Sequence, residues 1–175
     1  LYLRALEAIG TPEAILHIGD LFALTPTMWR WERRRLVERM GKQLVPGLLR
    51  LKNHENPVVR RWARGSLTEL GADTPAGAIQ EDEPETLAAI IDAYGDLRDM
   101  ESMNVIISFV GHPDDRLRDA ARGAMEKFAH NGIWRLREAF RSQLGTDADQ
   151  AWGWRRTARE LYEGLEEEHG IWLYR

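Results

Sequence analysis

The chain contains no cysteine. Disulfides, thiolate metal sites and cysteine nucleophiles are therefore excluded, and the redox compartment is left open. No apolar run approaches the roughly 18 residues of a membrane span, so no membrane partner is expected. Strand patterns are scarce as well. Only residues 105–110 have the composition of a strand, and they lie inside a helical pattern without a hairpin partner. The motifs of nucleotide and hydrolase chemistry are missing: there is no P-loop, GxGxxG, GxSxG or HExxH. The five histidines, His17, His54, His112, His130 and His169, include no pair at metal-ligand spacing. No cofactor, metal or catalytic residue is assigned on this basis, and the chain is not expected to be an enzyme. Basic residues are outnumbered, 24 against 28 acidic, for a net charge of −4. That balance speaks against a dedicated nucleic-acid binder, although a local basic patch is compatible with it.

What remains is apolar and helical. Hydrophobic residues make up 43% of the 175 positions and charged residues 30%, enough for a packed core. The opening "LYLRALEAIG" has neither an initiator Met nor a signal-peptide pattern and reads as the end of a helix. The chain is expected to be a piece of a longer protein in the cytoplasm.

Two stretches echo each other: "HENPVVRRWARGSLTELG" from His54 and "HPDDRLRDAARGAMEKFA" from His112. Both begin with His and reach an apolar-Arg pair, Val59-Arg60 and Leu117-Arg118. Three residues after each Arg stands an Ala, Ala63 and Ala121. Leu67 and Leu70 match Met125 and Phe128, and both stretches carry an Arg-Gly dipeptide. Fixed offsets of this kind mark an internal repeat. Gly71 closes the first stretch as a left-handed cap should. The same closing position falls at Gly10, Gly41 and Gly95, with Ala129 and Glu166 in the last two copies. Second helices are thus predicted near 28–40, 57–70, 85–95, 115–128 and 152–167. First helices are predicted over 11–24, 42–52, 99–110 and 131–144, with Pro46 kinking the second of these. A turn or two around 75–80 and the acidic connector "EDEPE" fill the shortest interval. Ala63 and Ala121 should be buried, because only a small side chain lets a neighbouring helix approach.

Paired helices recurring every 30–40 residues or so are the pattern of α-solenoids. The sequence resembles the HEAT-like repeats of bacterial type, whose second helix opens close to D-P-D-P-x-V-R. "HPDDRLR" at 112–118 has His for the first Asp, "HENPVVR" at 54–60 keeps the second Pro, and Asp149 with Arg155 keeps the Asp–Arg pair. The resemblance implies an all-α, right-handed α-α superhelix of about five helix pairs forming a single repeat domain over 1–175. It also implies a non-catalytic interaction scaffold with a concave helical surface. In the family the Asp–Arg pair ties neighbouring repeats together, and His54 and His112 stand in place of that Asp.

Four residues after each repeat Arg comes a second one, giving Arg34, Arg64, Arg122 and Arg159. Such a column could grip carboxylates. It also reads as a solubilised helix face, since Glu38, Glu126 and Glu163 stand four residues beyond three of these arginines. Arg64 faces Thr68 instead. Seven tryptophans are present, several beside arginine. Trp29 and Trp154 fall on the inward slot, while Trp31 and Trp62 join the arginine column as candidate contact residues. The expected partner is a protein, an acidic segment of it in particular. The alternative is a nucleic-acid-binding solenoid like the DNA alkylation-repair glycosylases, which hold DNA with arginines and aromatics. A purely structural spacer is a third reading.

Overall fold

A computed structural model describes residues 2–25, 27, 29–128, 131–132, 134–135 and 163–164. Among these the fold is all-α, with no strand. Residues 105–110 are helical, as α8 (Met103–Ile106) followed by a 3-10 turn over Ile107–Phe109. Most of the predicted second helix at 152–167 and most of the first helix at 131–144 lie outside the described residues. The chain divides into two compact units, Leu1–Ala93 and Tyr94–Arg175.

The first unit begins with α1 (Tyr2–Ile9) and α2 (Pro12–Leu24). Thr11 caps α2, its hydroxyl accepting from the Ala14 amide at 3.3 Å, and Pro12 occupies the first turn. Then come α3 (Arg30–Met40), a 3-10 turn over Gly41–Leu44, and α4 (Val45–Leu51). Pro46 is the second residue of α4 rather than a kink within a longer helix. Its missing N–H costs nothing there, because the first amides of a helix have no internal partner. Next are α5 (Pro57–Glu69), the single turn α6 (Pro75–Ala78), and α7 (Pro84–Leu97), along which the division between the units falls.

Helices α2, α4 and α5 pack together around Ile15, Ile18, Leu48, Leu51, Val59 and Ala63, all buried. Burying each large aliphatic side chain is worth about 1.5–3 kcal/mol. Close approach comes from glycine. A Cβ on Gly47 would lie 2.4 Å from Ile15, and one on Gly19 would lie 2.9 Å from Leu51. In the second unit, α8 and α9 (Asp115–Lys127) bury Met103, Ile106, Leu117, Ala121 and Met125. Ala63 and Ala121, at matching places in the two echoing stretches, are both fully buried.

The closing glycines divide. Gly10 and Gly71 have φ of 66° and 68°, as expected of a left-handed C-terminal cap, whereas Gly41, at φ 55° and ψ −135°, has a positive φ outside the left-handed helical conformation and opens the 3-10 turn. At Gly71 the motif is completed by Ala72 N–H donating to Leu67 C=O at 2.8 Å. Gly95 does not close its helix. It lies inside α7, which runs on to Leu97, and Arg98 takes the left-handed position at φ 48°. Asp99 N–H then donates to Tyr94 C=O at 3.2 Å in the same closing pattern. Gly95 serves packing: its absent side chain leaves room for Ala124, whose Cα would be 2.8 Å from a Cβ there.

Candidate interaction surface

The echo between the two stretches is carried into atomic geometry. The His54 ring accepts the Asn56 N–H on Nδ1 at 3.0 Å, and His112 accepts the Asp114 N–H at 3.1 Å. Asn56 and Asp114 each cap the helix that follows, accepting the amide two residues on at 2.9 Å. Arg60 then reaches back to the His54 carbonyl at 2.8 Å, and Arg118 to the His112 carbonyl at 3.1 Å. The repeat Arg therefore fastens its own entry turn. With Nδ1 accepting, a neutral His54 carries its proton on Nε2, which lies 3.6 Å from Asp20 of α2.

The arginine column has varied surroundings. Arg34 is exposed and pairs with Glu38 at 3.2 Å. Arg64 donates through Nε to the Lys52 carbonyl at 3.0 Å, satisfying the C-terminal end of α4, and through a terminal nitrogen to Asn53 at 3.5 Å. Arg122, in the second unit, is half-buried, and its Nε is buried with no hydrogen-bond partner. Arg159 lies outside the described residues. Trp31 is 73% exposed, whereas Trp62 is half-buried with its ring edge-on to Phe22 at 4.8 Å. Trp29 lies 6.2 Å from the same Phe22 ring. Both indole N–H groups are buried without an acceptor.

The structure brings together a different set of arginines. Between α3 and α5 lies a cleft of about 480 Å³, within the range of about 300–1,000 Å³ that ligand pockets occupy. Arg30, Arg33, Arg34 and Val37 line it from α3, at the offsets that share one helix face. Val58, Arg61, Trp62 and Ser66 line it from α5, with Glu69 toward the C-terminal end of that helix. Neither Arg30 nor Arg61 has a carboxylate partner among the described residues. Burial first, and the neighbouring Arg30 charge second, hold the Arg33 guanidinium below its ordinary value. Its Cζ stands 5.9 Å from the centre of the Phe22 ring, a cation–π arrangement. A second depression of about 440 Å³, sharing Arg61 and Gly65 and adding Arg60 and Arg64, continues along α5.

The sequence carried a signal for this cleft in one residue. Counting back thirty or so residues by the repeat, from the closing Gly71 to the closing Gly41, places Arg33 in the slot of Ala63. Where Ala63 is fully buried in α5, Arg33 places a guanidinium on the cleft wall. Counting only the column four residues beyond the repeat Arg passed over Arg30, Arg33 and Arg61.

Among the described residues there is no cluster of three His, Asp or Glu side chains arranged to hold a metal ion, and no helix long and apolar enough to cross a membrane. Compared with protein-family models, with curated proteins and with solved structures, the chain matches none significantly.

Proposed function

We propose that the chain is a segment of a HEAT-like α-solenoid serving as a non-catalytic interaction scaffold, and that its partner is an acidic protein segment. The observation that carries this reading is the convergence of Arg30, Arg33, Arg34 and Arg61 on one cleft of a molecule with net charge −4. A local excess of guanidinium donors on an acidic protein is a site for carboxylates, since Arg presents a planar fork matched to them. The repeated His–Asx–Arg entry turn and the buried Ala63 and Ala121 support the repeat architecture. Nucleic-acid binding is the second reading, favoured by the exposed Trp31 beside arginines, where a base could stack.

The test is calorimetric titration with poly-L-glutamate against the charge-reversed pair Arg34→Glu with Arg61→Glu. The parent protein should bind with a dissociation constant of about 10–500 μM at low salt. The reversed pair should show no heat. Equal binding by both proteins would remove the arginine surface as the contact.

A further inference from the structure

We infer that the α3–α5 cleft is built for an amphipathic acidic segment, one that alternates carboxylates with bulky apolar side chains, rather than for a plain polyanion. The inference rests on the acidic-partner reading above and adds what the partner must look like. The lining is two-natured. Arg30, Arg33, Arg34 and Arg61 supply cationic donors, while Val37, Val58 and Trp62 supply apolar surface between them. Trp62 is half-buried and braced edge-on by Phe22, so its indole is held in place, as an anchor surface should be. A bare polyanion would satisfy the guanidinium groups and leave that apolar floor wet.

The dimensions set the length of the occupant. On α5 the lining runs from Val58 to Glu69, about 16 Å at 1.5 Å per residue. That accommodates roughly five extended residues at about 3.3 Å each, or about three turns of helix. The cleft volume of about 480 Å³ holds a few apolar side chains and no folded domain. The distribution of charge orients the segment. The arginines face the cleft from the first part of α3 and from Arg61, whereas Glu69 lines it toward the C-terminal end of α5. The carboxylates of the segment should therefore cluster toward α3 and the first half of α5.

The experiment is fluorescence anisotropy with two labelled peptides of about ten residues and equal carboxylate count. One alternates Glu and Asp with Leu and Phe, and the other has Ser in place of each apolar residue. The amphipathic peptide should bind at least about ten-fold more tightly than the serine peptide. Arg61→Gln and Arg30→Gln, both at exposed positions, should each weaken it by about five-fold or more. Arg64→Gln should leave it within about two-fold, because that side chain is engaged with the Lys52 carbonyl. A shift of the Trp62 indole N–H resonance, assigned with Trp62→Phe, should accompany binding. Equal affinity for the two peptides overturns the inference, as does an Arg61→Gln variant that binds the amphipathic peptide like the parent. If both peptides bind equally and loss follows Arg64 or Arg122 instead, the acidic-partner reading stands and the cleft assignment falls. If neither peptide binds, both readings fall together.

Discussion

A single side-chain oxygen at position 56 and another at 114 decide where two helices start. Asn56 and Asp114 accept amides of the first turn at the same distance, 2.9 Å. Replacing Asn56 by Ala removes the acceptor and should cost about 0.5–2 kcal/mol, whereas Asn56→Asp should be nearly neutral. Urea denaturation of the two variants measures this, and equal destabilisation by Asp and Ala would show that the cap contributes nothing. At position 114 the residue titrates. Its hydrogen bond with the Arg116 side chain, ahead of other causes, holds the Asp114 carboxyl below its ordinary value of 3.8. A lowered folded-state value means that the stabilisation is fully present above the unfolded pKa. It is lost as the pH falls through the folded one. The Asp114→Asn variant keeps the capping oxygen and loses the titration. Its denaturation midpoint should therefore fall less than the parent's between about pH 5 and pH 2. Parallel pH profiles for the two proteins would count against the assignment.

At the scale of helices, glycines that look alike in the sequence do different work. Gly65 sits inside α5, where a Cβ would meet nothing within 4 Å, so its flexibility is cost without return. Gly65→Ala should stabilise by about 0.5–1 kcal/mol. Gly95 sits inside α7 with Ala124 at 2.8 Å from the position of a Cβ, so Gly95→Ala should destabilise despite the better helix propensity. Ala121→Leu should overpack the buried face of α9 and cost about 1–3 kcal/mol. Thermal melts of the three variants check the signs, and a Gly95→Ala melt at or above the parent would show that the approach of Ala124 is slack. These positions also show what the sequence could disclose. The caps at Thr11 and Asn56, the buried alanines and the left-handed glycines at 10 and 71 were legible, because each follows from local backbone geometry at a fixed offset. The role of Gly95 was not. A glycine two residues before the end of a helix looks the same whether it ends the helix or admits a neighbour, and only the position of Ala124 separates the two. The candidate site was legible as a surplus of arginine beside tryptophan. Which arginines converge depends on how α3 packs beside α5, and Arg33 in an alanine slot was the one local sign of charge on that face.

For the whole molecule, the issue is whether a chain of net charge −4 can hold a phosphate backbone. The Debye length of about 10 Å at 0.1 M salt confines the attraction of the cleft to a short range, too short to reach along an extended phosphate backbone. Among the described residues, several arginines outside the cleft are engaged elsewhere. Arg39 donates to the Glu7 carboxylate, and that hydrogen bond, ahead of other causes, raises its pKa. Arg118 pairs with Asp115, and Arg64 with the end of α4. Duplex DNA presents one charge per roughly 1.7 Å, and tight nonspecific binding needs several phosphates neutralised together. A cleft about 16 Å long with apolar residues between its arginines offers few such contacts. Duplex DNA should therefore show no micromolar binding at about 50 mM salt, the condition that most favours it. An electrophoretic or anisotropy titration decides the matter. Micromolar binding that falls steeply with salt and is abolished by Arg64→Glu with Arg122→Glu would promote the nucleic-acid reading. Those two side chains would then be contacting phosphates, and not serving a helix end and a half-buried face.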